Sequence, residues 1–214
     1  MCWNSEVSLN TFIFSMFVLL LIMYNNAYTK YKIPELNHFW VYAFFISFIS
    51  IQLIEYFIWR NLNNPFYNSF FSVCAILLIL FQPIPTMMLI NNNVLKKYML
   101  ILYLILTIPF AIYRFSVKKI ISTVTKKGHL YWDNILYKNY SENIYFVVWL
   151  FFFLFSFFYN QSYFELLFGL IMLIIISYNF ISDGSMGTMW CWVVNSIMIY
   201  YAAYLLIYLP FTQK

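Results

Sequence analysis

Long runs of hydrophobic residues, separated by short polar segments, make up most of the chain. Many of the runs approach the roughly 20 residues that a helix needs to cross a bilayer. They lack the polar alternation of membrane barrel strands. Because backbone polar groups in lipid must be paired within their own segment, each run predicts a transmembrane α-helix. The seven predicted spans are Val7–Tyr24, His38–Trp59, Ser69–Ile90, Tyr98–Tyr113, Asn143–Tyr159, Tyr163–Ser182 and Thr188–Leu209.

The predicted fold is an all-α, polytopic transmembrane helical bundle with seven spans in a single membrane domain, residues 1–214. The fourth and fifth runs are short, so six spans is the alternative count. Residues 114–142, between spans four and five, are long enough to hold structure of their own. We expect this segment to form an extramembrane loop.

Composition strengthens the prediction of a membrane protein. The chain is 64% hydrophobic and only 9% charged, so a water-soluble fold could not bury its apolar surface. The lipid bilayer is therefore its predicted partner. The formal charge of +5 resides in the loops rather than on a folded basic face, so we expect no nucleic acid as a partner. The sequence leaves the oligomeric state open.

Seven spans would place the amino terminus and the loops after spans two, four and six on one side, here called the N face. Seven lysines and arginines fall on the N face and five on the opposite face. The excess predicts a cytosolic N face by the positive-inside rule. The N-face residues are Arg60, Arg114, Lys118, Lys119, Lys126, Lys127 and Lys138, against Lys30, Lys32, Lys96, Lys97 and Lys214.

Glu55 is the carboxylate that lies most clearly inside a predicted span, about 7 Å from the helix end at 1.5 Å per residue. Gln52, Glu55 and Trp59 recur at i, i+3 and i+7, which places them on one helix face. Ionisable residues within spans usually face a bundle interior or a water-filled cavity. The alternative is a structural hydrogen bond between helices.

Other spans bring polar stripes to the same depth on the N face. We therefore predict a ligand pocket centred on Glu55. Small hydroxyl residues also join membrane helices to one another, and that alternative stays open. The predicted lining combines Gln52, Glu55 and Trp59 with Asn4 and Ser8 of the first span and Thr188, Trp190 and Asn195 of the seventh.

Four potential metal ligands also fall on the N face, Cys2, Glu55, His129 and Cys191. Two thiolates, an imidazole and a carboxylate would suit tetrahedral zinc. No pair has the close spacing of a CxxC or HExxH motif. His129 as a solvated loop residue and Cys2 as a lipidated or exposed residue are the alternatives.

The third span contains Gln82-Pro83-Ile84-Pro85, which predicts a kink. A kink of this kind either opens a cavity or only affects packing. The seventh span has no lysine, which excludes a retinal Schiff base there. His38 and His129 are the two histidines and fall on opposite faces, so the three-histidine zinc site of seven-helix ceramidase-like hydrolases cannot form.

Several short motifs occur in an order that resembles an uncharacterised family of small multi-pass membrane proteins from bacteria and large DNA viruses. They are the Met1-Cys2-x-x-Ser5 start, Gln52-x-x-Glu55-x-x-x-Trp59, the Pro83 and Pro85 pair, His129 and Trp190-Cys191-Trp192. The resemblance supplies no activity. It implies that Cys2, Gln52, Glu55, Trp59, His129, Trp190 and Cys191 belong to one site.

Three functional hypotheses follow. The first is a membrane protein with an N-face pocket around Glu55 that binds a metal or small ligand. The second is a proton or cation transporter or channel in which Glu55 carries the ion and the kinked third span lines the path, with Gln82 as a polar group on the other half. The third is a structural membrane component, for example of a virion.

Overall fold

The computed structural model describes residues 4–117, 119–132 and 140–212, with side chains in the last range from Ile144 onward. It is 79% helical. A 3-10 turn covers Pro34–Leu36, and a π-helical segment, Tyr204–Tyr208, joins the last two helices. The helices are α1 Ser5–Tyr28, α2 Phe39–Arg60, α3 Pro65–Phe81, α4 Pro83–Met88, α5 Asn93–Val117, α6 Tyr140–Tyr159, α7 Tyr163–Phe180, α8 Met186–Val194, α9 Ile197–Ala203 and α10 Leu209–Thr212.

Six helical segments of the described chain are long and apolar enough to cross a membrane. α6 adds a shorter apolar stretch, Ile144–Tyr159. The prediction of an all-α multi-pass bundle with six to seven spans is therefore confirmed. The six segments are α1, α2, the continuous pair α3 and α4, α5, α7, and the run from α8 to α10.

The fourth span is longer than its apolar run indicated. We predicted Tyr98–Tyr113, whereas α5 covers 25 residues, Asn93–Val117. The apolar run is shorter than α5 because charged residues occupy both ends of the helix, lysines near its start and Arg114 in its last turn. Lysine and arginine are nevertheless good helix formers, so the helix continues through them. The structure also begins α6 at Tyr140, within the predicted loop.

α2 is the central helix of the bundle, in contact with α1, α3, α4 and α8. In the most apolar window of α2, 44% of the residues are buried, compared with 17% in α5 and 11% in α7. α5 and α7 therefore lie at the periphery, where lipid covers their apolar side chains. The polar residues of α2 are surrounded by protein.

A short antiparallel hairpin covers the N-face end of the bundle. Its strands are β1, Ser122–Val124, and β2, Leu130–Trp132. Asn68, fully buried in the first turns of α3, holds β1 by pairing with both backbone groups of Ser122. The Asn68 amide donates to the Ser122 carbonyl at 2.9 Å, and its oxygen accepts the Ser122 N–H at 2.8 Å. The carboxamide thus substitutes for a neighbouring strand.

The hairpin also packs against the turn between α7 and α8. Gly184 in this turn has a φ of +76°, and a Cβ there would approach the Tyr131 ring of β2 to 2.7 Å. A larger residue at this position would meet both backbone strain and the Tyr131 ring. The Thr188 hydroxyl of α8 donates to the Leu130 carbonyl at 2.8 Å.

The predicted proline kink separates α3 from α4. Pro83 has no N–H, so the carbonyl of Ile79, four residues earlier, loses its usual helical partner. The indole N–H of Trp149 in α6 donates to this carbonyl at 2.9 Å. The Tyr103 hydroxyl of α5 donates to the adjacent Leu80 carbonyl at 2.6 Å. Neighbouring helices thus satisfy the backbone at the kink, as lipid requires.

Candidate functional site

The polar face of α2 is buried in the bundle. Gln52 and Glu55 are both 0% exposed. Neither the Nε2 nor the Oε1 atom of Gln52 has a hydrogen-bond partner in the described chain. One turn beyond Glu55, the buried indole N–H of Trp59 also lacks a described partner. The face that periodicity predicted to be buried is therefore buried, and the Gln52 amide and the Trp59 indole find no hydrogen-bond partner among the described residues.

α1 brings a second row of polar side chains into the bundle. Ser8 and Ser15 are 0% exposed, and neither hydroxyl has a partner among the described residues. Thr11, on the same helix face, accepts a hydrogen bond from the Trp192 indole of α8 at 3.1 Å. This bond joins α1 to α8, while α1 packs along α2.

α8 contributes Cys191 and Asn195. The buried Cys191 thiol lies within electrostatic range of the Glu55 carboxylate. The Asn195 amide donates to the Cys191 carbonyl at 2.7 Å, but its Oδ1 atom, also buried, has no described partner.

Two pairs of these groups lie at similar depths along their helices. Glu55 and Cys191 each lie five residues from the N-face end of their helix, about 7.5 Å at 1.5 Å per residue. Gln52 and Asn195 lie eight and nine residues from those ends, about 12 to 13.5 Å. We call the set the polar site, formed by Ser8, Gln52, Glu55, Trp59, Cys191 and Asn195.

Unpaired buried groups are costly. A buried donor or acceptor without a partner costs about 1–3 kcal/mol. Native proteins contain few such groups, and an unseen water or ion is a common explanation for one. Among the described residues, unmet hydrogen-bonding capacity is thus found on three helices that contact one another, at Gln52 Nε2 and Oε1, Ser8 Oγ, Trp59 Nε1 and Asn195 Oδ1.

Three predicted pocket residues have other positions or bonds. Asn4 is exposed and its side chain caps α1 by accepting the Val7 N–H at 2.8 Å. Thr188 anchors the hairpin, as described above. Trp190 is buried against Phe153 of α6, with ring centroids 6.3 Å apart, and lines two cavities that do not include Gln52 or Glu55.

His129 belongs to a separate cluster at the base of the hairpin. Its Nδ1 lies 3.1 Å from Asp183 Oδ2 and 3.4 Å from Ser185 Oγ. Ser185 donates its hydroxyl proton to Asp183 Oδ1 at 2.5 Å. A nucleophilic triad would place serine and carboxylate on opposite ring nitrogens. Here both approach Nδ1, so the cluster is suited to holding the hairpin against the α7–α8 turn.

Asp183 is acidified by this cluster. Burial by itself would raise the pKa of Asp183, but hydrogen bonds from the Ser185 hydroxyl and backbone N–H, and the contact with His129, hold the pKa below its ordinary value. The sequence predicted neither this cluster nor the burial of His129, which is 7% exposed.

The predicted zinc ligands are only partly described. Among the described residues, no three His, Cys, Asp or Glu side chains are grouped so that they could hold a metal ion. Glu55, His129 and Cys191 all belong to this described part, whereas Cys2 lies outside it. A zinc site at Glu55 and Cys191 therefore stays a prediction that depends on Cys2.

Known proteins offer no guide to these residues. No known protein family, curated protein or solved structure matches the chain. What the site does must therefore be argued from its own chemistry.

Two cavities lie on the other side of α8. The first is narrow, about 60 Å³, and runs beside the kink, with the buried polar residues Gln82 and Arg114 on its wall. The second is about 540 Å³ and lies at the end of the bundle opposite the N face. Trp190 lines both.

Proposed function

We propose that this integral multi-pass membrane protein binds a small polar ligand or a metal ion in the polar site between α1, α2 and α8. The Gln52 amide carries the proposal, because it is fully buried and neither of its polar atoms has a partner in the described chain. A role in helix packing would require a second protein group to complete the hydrogen bond. A bound ligand would supply that group and remove the cost.

The two depths of the site suggest two kinds of contact. Gln52 and Asn195 offer neutral donors and acceptors in the deeper layer. Glu55 and Cys191 offer a carboxylate and a thiol nearer the N face, which favours a cationic ligand. Zinc is the metal that such donors would hold, with Cys2 as the further ligand that the sequence predicts. We propose seven spans, with the site in the N-face half of the bundle.

Metal content tests the zinc form of this proposal. Protein purified in detergent without chelator is expected to contain near-stoichiometric zinc, and Cys191→Ser should lose it because zinc binds thiolate. Cys74→Ser is the matched control, since Cys74 is a free thiol on α3 outside the site. If wild type, Cys191→Ser and Cys74→Ser all lack zinc, the metal form is wrong.

Native mass spectrometry tests the wider proposal. The wild-type protein released from detergent should carry a bound ion or small molecule that Gln52→Leu and Glu55→Gln both lose. Asn179→Ala should retain it, because Asn179 is exposed on α7 and bonds only within its own helix. An identical mass profile in wild type and both site variants would contradict ligand binding.

A transporter is the second candidate, and Trp190 favours it. Trp190 lines both a cavity in the N-face half and one that reaches the opposite end. Alternating access of this kind suits secondary transporters. In vesicles containing the purified protein, Trp190→Ala should increase proton or cation flux through these cavities, whereas Glu55→Gln should have little effect because Glu55 lines neither of them. Flux equal to that of protein-free vesicles would rule out this candidate under those conditions.

A further inference from the structure

The second cavity is large enough for a small organic molecule. Its volume of about 540 Å³ falls within the range of ordinary ligand sites, roughly 300–1,000 Å³. Helices α2, α6, α7, α8 and α9 contribute its walls, and the 3-10 turn and the segment after α4 form its mouth. Aromatic rings dominate its inner surface, from Phe44, Phe45, Phe48, Phe153, Phe157, Phe168, Trp190 and Tyr201.

Two carboxylates without ion-pair partners accompany the aromatic rings. Glu35 of the 3-10 turn and Glu165 in the first turn of α7 both line the cavity. Neither forms a salt bridge in the described part of the chain. Lys96 is the one lysine or arginine among the described lining residues.

Two side chains that line this cavity carry buried oxygen atoms without a partner in the described chain. Ser156 of α6 is 1% exposed and lines it, yet its hydroxyl has no partner in the described chain. Asn160 donates through Nδ2 to the Leu89 carbonyl at 3.0 Å, whereas its buried Oδ1 is unpaired among the described residues.

We propose that this cavity binds an organic ammonium ion. Aromatic faces attract cations through their quadrupole, and quaternary ammonium groups are often recognised by several rings at once. The carboxylates of Glu35 and Glu165 supply the opposite charge. With two carboxylates against Lys96, an anionic ligand is disfavoured. The inference is independent of the polar site, whose residues do not line this cavity.

Choline and its neutral isostere 3,3-dimethylbutan-1-ol provide the decisive comparison, because they share a shape and differ in charge. Binding to the full-length protein in a non-ionic detergent can be followed by saturation-transfer NMR titration. Choline is expected to bind at least about ten-fold more tightly than the isostere, as cation–π and carboxylate contacts require. Equal binding of the two, or no binding of choline, would overturn the proposal.

Removing a negative charge and removing a positive charge from the cavity should change choline binding in opposite directions. Glu165→Gln should weaken choline binding about five-fold or more, while Lys96→Gln should strengthen it by removing a like charge. Glu6→Gln, exposed at the other end of the bundle, is the matched control and should have no effect. Gln52→Leu should also leave choline binding unchanged, which separates this cavity from the polar site. Choline binding that is the same in wild type, Glu165→Gln and Lys96→Gln would contradict the proposal.

Discussion

Two buried carboxamides show how differently the same chemical group can be used in this protein. Asn68 and Gln52 are both 0% exposed. Asn68 bonds both backbone groups of Ser122, whereas Gln52 bonds no described residue. The first therefore stabilises the fold, and the second lowers the stability of the unliganded protein. A buried group that lowers stability, as Gln52 does, is expected to have a function that explains its presence.

Asp183 gives a prediction about acid stability. Because its pKa is lowered in the folded protein, its contribution is complete above the ordinary value of 3.8 and is lost as the pH falls through the lower folded pKa. Asp183→Asn should therefore be less stable than wild type at neutral pH and should lose less stability on acidification. Thermal unfolding midpoints in a non-ionic detergent at about pH 6 and about pH 2.5 measure this.

The exposed Glu6 is the control for Asp183. Glu6→Gln should follow the wild-type pH dependence, because an exposed carboxylate gains little from folding. If Asp183→Asn and wild type lost the same stability between the two pH values, the His129–Asp183–Ser185 cluster would not stabilise the protein as described.

At the scale of elements, the kink between α3 and α4 depends on a side chain from α6. Trp149→Phe keeps an aromatic ring but removes the indole N–H and leaves the Ile79 carbonyl only the shared Gln82 N–H at 3.1 Å among the described donors, which should cost about 1 kcal/mol. Pro83→Ala restores a backbone N–H that can reach the same carbonyl. The Trp149→Phe change should therefore lower the free energy of unfolding by less when Pro83 is also replaced by alanine.

A double-mutant cycle of unfolding free energies measures that coupling. Residues that share a hydrogen-bonding partner usually show interaction energies of about 0.5–3 kcal/mol. Additive effects of Trp149→Phe and Pro83→Ala would mean that the indole does not replace the missing backbone donor. Far-ultraviolet circular dichroism controls for loss of helix in each variant.

The elements themselves were largely predictable, since apolar length and the absence of polar alternation are properties of the local sequence. The limits of α5 were not, because Lys96 and Arg114 end an apolar run without ending a helix. The hairpin was missed for a different reason. Its stability comes from Asn68, Thr188 and the α7–α8 turn, which lie far away in the sequence.

The shared helix face and the depth of the candidate-site residues were also predictable from the sequence, whereas their hydrogen bonds were not. Helical periodicity indicated that Gln52, Glu55 and Trp59 share a face, and topology brought Cys191 to their depth. Periodicity does not reveal which neighbour a polar group bonds. The capping bond of Asn4, the hairpin bond of Thr188 and the pairing of His129 with Asp183 therefore required coordinates.

For the whole molecule, the number of spans decides which residues share a face. Seven spans place the two termini on opposite sides of the membrane, whereas six place them together. Epitope tags at both ends, probed by protease protection in sealed vesicles, should therefore differ in accessibility. Equal accessibility from one side would contradict seven spans, and a protected amino-terminal tag in cells would contradict the predicted cytosolic N face.

The central claim is that the polar site serves a ligand rather than helix packing, and the thermal unfolding midpoint of Gln52→Leu, compared with wild-type protein stripped of its ligand in detergent, tests it most directly. Replacing an unpaired buried amide by an apolar group of similar size removes a cost of about 1–3 kcal/mol, which for a chain of this length corresponds to a rise of at least about 2–4 °C. The midpoint of Asn68→Leu should fall instead, because Asn68 is a buried amide whose hydrogen bonds are made within the protein. A fall in the midpoint of Gln52→Leu comparable to that of Asn68→Leu would show that Gln52 is bonded within the protein and would contradict the claim.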